Sequence, residues 1–201
     1  MRVRTHTNPF NYHERQERID FKSIWPEFNG ILDYEIGFGR GIFLRNWAEK
    51  YPDRNIVGAE IRKSVTDILK ERAEKAGLKN THLIHGNGEI ILEDCFDDES
   101  LDTIFVFHPD PWFKKRHHKR RVVRPKFLEI AEKKLKPEGV IHVSTDVTPL
   151  WEGMKETFDA DPKFELVPDH SFWSEDYTSH WHEFGQRDGR DLNIGTFRKL
   201  S

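Results

Sequence analysis

The sequence holds a single cysteine, Cys95, in 201 residues. That excludes an internal disulfide framework and a cysteine-rich zinc site. No apolar run approaches the ~18–20 residues that span a bilayer, and the opening Met1-Arg-Val-Arg-Thr-His-Thr-Asn8 has no hydrophobic core of a signal peptide. The chain is therefore expected to be soluble and cytoplasmic, with no membrane partner. Internal repeats and low-complexity linkers are missing as well. Apolar residues are modest at 36% against 33% charged, yet aromatics at 12% supply enough large apolar surface to exclude a disordered chain. Monomer and homodimer are left equally open.

Charge is distributed unevenly. From Lys114 to Arg124 stand Lys114, Lys115, Arg116, Lys119, Arg120, Arg121 and Arg124, seven cations with no anion among them. The whole chain carries −3, which leaves about −10 for everything else. An acidic protein with one dense basic segment is built to meet a polyanion at one place. Immediately before that run lie Asp110 between Pro109 and Pro111, and the aromatic pair Trp112 and Phe113. Trp112 suits either a base-stacking platform or a plug beneath the loop. A metal at His108, His117 or His118 is not expected, because no convincing carboxylate or thiolate co-ligands accompany them.

Residues 1–29 lack periodicity, carry Arg2, Arg4, Arg15 and Arg18, and read as an N-terminal arm before a domain over 30–201. Within the domain, strand-like runs alternate with amphipathic segments. Ile31–Ile36, Asn55–Ile61, Thr81–His85, Leu101–Phe107 and Val140–Ser144 read as strands. Ile42–Lys50, Val65–Ala76, Lys126–Leu135 and Pro149–Phe158 read as helices, with Gly77 as a C-cap, Pro125 as a helix opener and Lys136-Pro-Glu-Gly139 as a turn. The stretch from Pro168 reads as loop before a last strand. This alternation predicts an α/β fold with a doubly wound, mostly parallel sheet, whose ligands bind beyond the carboxyl ends of the strands.

The motifs stand at those ends. Glu35-Ile-Gly37-Phe-Gly39-Arg-Gly41 follows the first strand. Ile42 stands where the dinucleotide fingerprint requires its third glycine, and an acid before the loop suits a cationic ligand better than a pyrophosphate. Glu60, at the end of the second strand and 19 residues beyond Gly41, is placed to accept ribose hydroxyls; alone it would be an acid at a helix start. Asn87, between Gly86 and Gly88, offers an amide for an adenine edge, or an Asn-Gly turn. A nucleoside pocket without a phosphate cradle fits S-adenosylmethionine.

Taken together, Glu35–Gly41, Glu60, Asn87, the block from Pro109 to Arg121 (Pro-Asp-Pro-Trp-Phe-Lys-Lys-Arg-His-His-Lys-Arg-Arg) and Thr145-Asp146 resemble the bacterial tRNA (guanine-N7)-methyltransferase family. The resemblance runs from about Ile31 to Phe158, and the block from Pro109 to Arg121 is its most specific part. It implies a class I, Rossmann-like methyltransferase fold and transfer of a methyl group from S-adenosylmethionine to a guanosine in the tRNA variable loop. It places Glu35, Glu60, Asn87 and Asp110 on the cofactor, with Asp110 also the catalytic position; Gly37 and Gly39 join them from the glycine loop itself, which lets the backbone approach a ligand closely. The resemblance places Lys114 and Asp146 on the tRNA substrate, and the charge of the basic run adds Arg116, Lys119 and Arg120 as phosphate contacts. The family's closing T-x-aromatic-E signature is here Thr178-Ser-His-Trp181-His-Glu183, two residues longer, and Thr178 and Glu183 take the remaining tRNA positions. His108 stands where the family usually has an aromatic residue or Asn. The alternatives are a methyltransferase of another RNA or of protein, and a noncatalytic RNA-binding module retaining the fold; intact cofactor acids disfavour the module.

Overall fold

The structure is a computed structural model and describes residues 7–178, 189 and 191–201. Seven strands form one sheet in the order β3-β2-β1-β4-β5-β7-β6. They are β1 (Leu32–Ile36), β2 (Asn55–Glu60), β3 (Thr81–His85), β4 (Leu101–Phe107), β5 (Leu135–Thr145), β6 (Phe164–Val167) and β7 (Asn193–Lys199). The first five run parallel, whereas β7 lies antiparallel to both β5 and β6. The helices are α1 (Phe21–Ile24), α2 (Ile42–Lys50), α3 (Lys63–Lys75), α4 (Gly88–Cys95), α5 (Pro125–Lys134) and α6 (Thr148–Asp159). None among the described residues is long and apolar enough to cross a membrane.

Two apolar clusters cover the two faces, and the strands show why. Successive side chains of a strand point to opposite faces. Ile104 and Val106 of β4 join a cluster with Phe21, Ile91 and Phe127, while Phe105 and Phe107 join another with Phe43, Leu69 and Phe172. The same alternation in β1 sends Leu32, Tyr34 and Ile36 to the first face, so Asp33 and Glu35 are buried on the second. Asp33 is answered there by Arg54, whose Nε lies 2.8 Å away, and by the Trp47 indole N–H at 2.9 Å. It anchors the end of the sheet remote from the glycine loop.

Three local expectations change. The Lys136–Gly139 turn is drawn into the sheet: Leu135 pairs with Leu101, the next partner of Thr103 is Val140, and the excess residues bulge with Glu138 at φ +64°. Beyond Asn87, where only a turn is expected, α4 begins. Asn87 Oδ1 accepts from the Glu89 N–H at 3.0 Å as its N-cap. Pro168 follows a strand, β6, and leads into a π-helical turn at Phe172–Asp176. In the N-terminal stretch, Phe21 and Trp25 are buried in the first cluster and Arg15 pairs with Glu93 and Asp94 of α4.

Candidate active site

The order reverses between β1 and β4, and ligands of such sheets bind at the carboxyl ends flanking that point. Five loops meet there. Gly37, Gly39 and Gly41 have φ of +75°, +54° and +67°, a left-handed succession that L side chains rarely adopt. A Cβ on Gly41 would lie 2.3 Å from Leu69, so α2 docks on α3 only through glycine, whereas the space beside Gly37 is open. The loop is tied to β2 by the Gly37 N–H to the Ala59 carbonyl at 2.8 Å.

Glu35 is 4% exposed, and its Oε2 is buried with no hydrogen-bond partner. Burial, with the nearby Glu60 carboxylate adding to it, raises its pKa to about 8. A buried carboxyl with an unanswered oxygen at a ligand-binding edge is a group waiting for a cation.

Glu60 is differently provided. Its Oε1 accepts from the Arg62 backbone N–H at 3.0 Å and the Arg62 Nε at 2.9 Å. Oε2 accepts from Arg62 Nη2 at 2.9 Å and the Gly39 N–H at 3.1 Å. A carboxylate has about four acceptor positions, and all are engaged. The Arg62 side chain that engages Glu60 is itself half-exposed. The hydrogen bond to Glu60, with the charges of Glu60 and Asp110 adding to it, raises the Arg62 pKa against the opposing effect of its partial burial.

Asn87 divides its amide: Oδ1 caps α4, and Nδ2 donates one proton to the Pro9 carbonyl at 3.3 Å. The N-terminal stretch thus reaches the end of β3, where Tyr12 packs edge-on against His85 at 5.6 Å.

Asp110 stands in a half-buried loop flanked by two strained residues, His108 at φ +46° and Trp112 at φ +43°. Such conformations cost about 1–3 kcal/mol each and persist only where surroundings enforce them. Here Arg121 Nε donates to the Pro111 carbonyl at 2.9 Å, and the His108 N–H donates to the Ser144 carbonyl at 2.8 Å. Trp112 is not in the core. It lies half-exposed beneath the Arg120 guanidinium at 4.9 Å, with the His117 ring edge-on at 5.8 Å.

The basic run divides in two. Arg121 is spent on the loop, and Arg124 Nη2 donates to both oxygens of Glu89 at 2.6 and 2.7 Å. The reading of seven cations gripping phosphate is corrected accordingly: a guanidinium already paired with a carboxylate near the core is not available. Lys114, Lys115, Arg116 and Lys119 are exposed, and together with Arg120 they have no carboxylate partner among the described residues. They surround a 3₁₀ turn at Lys115–Arg120, and Lys119 lies over the Phe10 ring at 5.8 Å. Partial burial and the flanking cations lower the His117 pKa, so it adds charge only at more acidic pH than usual.

Asp146 follows β5, its side chain 9% exposed and 3.4 Å from His108 Nδ1. Thr178 is exposed and accepts from Asn46 Nδ2 of α2 at 2.9 Å. Glu183, with Trp181, Arg2 and Arg4, lies outside the described residues. The structure therefore gathers Glu35, Gly37, Gly39, Glu60, Asn87, Asp110, Asp146 and these five cations along one edge. Arg62 and Arg121 were not expected in the site. Arg62 had a signal, standing two residues after Glu60, where a helix-start cation meets a strand-end acid.

The profile of a family described as "Putative methyltransferase" matches residues 30–195. The tRNA (guanine-N(7)-)-methyltransferase of Shewanella amazonensis is 40% identical over 154 residues, covering 76% of this chain. The chain spans only 64% of that protein's length. The protein of the same name from Synechocystis sp. is 32% identical over 173 residues, 84% of this chain and 82% of that one. Among solved structures, the 16S rRNA methyltransferase KamB superposes with a TM-score of 0.64 over 92% of this chain and 96% of that one, at 17% identity. That likeness shows the Rossmann-like methyltransferase fold alone. With the glycine loop, the strand-end acids and the Pro-Asp-Pro block on the matching edge, the chain belongs to the tRNA (guanine-N7)-methyltransferase family.

Proposed function

We propose that this protein transfers the methyl group of S-adenosylmethionine to N7 of a guanosine in the variable loop of tRNA. The observation that carries the reading is the buried Glu35 carboxyl, with one oxygen unanswered, beside an open glycine turn and on the same edge as Asp110 and five cations without carboxylate partners among the described residues. The residues present fit the cofactor. Glu35 pairs with its ammonium, Glu60 accepts its ribose hydroxyls once Arg62 swings out, and the second amide proton of Asn87 meets its adenine. When bound, the cofactor supplies an electrophilic methyl on a sulfonium.

Guanine N7 is an in-plane lone pair without a proton at neutral pH, so no base is needed to free it. What the protein must do is orient the ring and accommodate a base that turns cationic. Asp110 accepts from guanine N1–H or the N2 amino group and holds a fixed negative charge beside the ring. The strained loop, braced by Arg121, fixes that carboxylate before substrate arrives. Proximity and orientation of this kind contribute up to ~7–11 kcal/mol in favourable systems. Trp112 offers a ring face to a neighbouring base, worth about 1–3 kcal/mol in single-strand recognition. Lys114, Arg116, Lys119 and Arg120 meet phosphates, and Asp146 and Thr178 line the substrate side.

The test is nucleoside analysis by mass spectrometry after incubating unmodified tRNA with protein and S-adenosylmethionine. 7-Methylguanosine should appear in proportion to time and enzyme. Methylation of another base alone, or of protein alone, contradicts the reading.

A further inference from the structure

His108 follows β4 directly and is 5% exposed, in a left-handed conformation that histidine tolerates better than most residues. Its ring nitrogens reach in opposite directions. Nδ1 lies 3.4 Å from Asp146 Oδ1, and Nε2 lies 2.8 Å from the Tyr177 hydroxyl. That hydroxyl is in turn 2.8 Å from Ser144 Oγ. One imidazole thus joins the Asp110 loop, the end of β5 and the segment that leads into Thr178.

The chemistry of the partners orders the protons. A carboxylate oxygen accepts, so the tautomer that serves both neighbours carries its hydrogen on Nδ1, toward Asp146. Nε2 then accepts from the Tyr177 hydroxyl, whose oxygen accepts from Ser144. A phenylalanine would fill the same space but would give Asp146 no donor and Tyr177 no acceptor at this point. His142, also buried on this face, is a useful contrast. It shares a hydrogen with Thr196 at 2.9 Å and stacks on Phe172 at 3.7 Å, linking β5, β7 and the π-helical turn away from the strand ends. His142 is packing; His108 is wired to the edge that carries the site.

We infer that His108 is a positioning residue for the substrate guanosine, acting through Asp146. It holds the Asp146 carboxylate in one orientation and locks the Tyr177–Thr178 segment to the loop that carries Asp110. The inference rests on the proposed function for the assignment of Asp146 to substrate. Misplacement of an orienting group by about 1 Å can cost ~10²-fold in rate, so the effect sought is large enough to measure.

The experiment is a double-mutant cycle with His108→Phe, Asp146→Asn and both together, read as kcat/KM for tRNA methylation, with S-adenosylmethionine Kd measured alongside. If His108 acts through Asp146, His108→Phe should lower kcat/KM by roughly 10-fold or more and leave the cofactor Kd within about 2-fold, while the double variant should be no worse than Asp146→Asn alone. Two further variants separate the bonds and stand in if His108→Phe folds poorly. Asn places its amide near the position of Nδ1, so His108→Asn should retain most activity. Gln reaches toward Tyr177 but lacks that donor, so His108→Gln should behave as His108→Phe. Losses that multiply in the double variant, wild-type kcat/KM in His108→Phe, or equal activity of the Asn and Gln variants overturns the inference. A wild-type enzyme inactive on tRNA overturns the proposed function and this inference with it; an active wild type with a multiplicative cycle overturns only the role of His108.

Discussion

Replacing Glu35 by Gln should stabilise the free protein and weaken its hold on the cofactor. In the fold the carboxyl has a pKa of about 8, against an ordinary value of 4.5, because it is buried and faces Glu60. The folded value lies above the unfolded one, so the stability linked to the proton is fully present below pH 4.5 and is lost as the pH rises toward 8. At about 1.36 kcal/mol per pH unit, ionised Glu35 costs the free fold about 3 kcal/mol more at pH 8 than at pH 5. Asp33 and His142 are common to both proteins and cancel in the difference. Urea unfolding of wild type and Glu35→Gln without cofactor, at pH 5 and pH 8, should therefore show the variant's advantage growing by about 3 kcal/mol. S-adenosylmethionine should bind the variant roughly 10- to 100-fold more weakly, the loss of one charged hydrogen bond of about 1.5–3 kcal/mol. Near pH 7 wild-type binding should also release close to one proton, visible as a buffer-dependent heat in calorimetry. An advantage equal at both pH values, or a heat independent of buffer, would refute the burial of an unanswered acid as the basis of the cofactor site.

Other outcomes follow from the same edge. Asp110→Ala should abolish turnover with the thermal midpoint nearly unchanged, since a half-buried loop acid contributes little packing; kcat within a few-fold of wild type removes Asp110 from the chemistry. Glu60→Ala should weaken cofactor binding far more than tRNA binding, and equal losses measured separately contradict a ribose role. The triple variant Arg116→Ala, Lys119→Ala, Arg120→Ala should flatten the log–log salt dependence of tRNA affinity by roughly two to three units if all three touch phosphate, at about 0.7–0.9 per contact. An unchanged slope makes this turn a solvated face. Arg121→Ala should instead lower kcat with little change in salt slope, because its guanidinium holds the Pro111 carbonyl rather than phosphate.

The parallel core was legible because its signals are local. Leu101–Phe107 alternates for both faces, and Pro125 and Gly77 punctuate their helices where the structure has them. The antiparallel pair β6 and β7 was less so: Phe164–Val167 is only four residues long and gains its strand character from pairing with distant Asn193–Lys199. The helix α4 was missed although Asn87 and Glu89 form a capping signal, because the glycines on either side of Asn87 read as a turn. Gly88 is there for another reason, since a Cβ would lie 2.6 Å from Ile36. Candidate residues carried by a strand end, such as Glu35 and Glu60, were legible as strand-end acids from position alone, and both are buried. What position could not show is which charges are spent within the fold. Arg121, Arg124 and Arg62 look like the other cations in the chain, and only tertiary contact assigns them to Pro111, Glu89 and Glu60.

The most direct measurement is position-resolved: tRNA treated with the protein and S-adenosylmethionine, then cleaved chemically at 7-methylguanosine and read by primer extension, for wild type and Asp110→Ala in parallel. A single cleavage at a guanosine of the variable loop, present with wild type and lost with Asp110→Ala, is the expected result. Cleavage scattered outside that loop, no cleavage with wild type, or an undiminished signal with Asp110→Ala would contradict a tRNA guanine-N7 methyltransferase centred on Asp110.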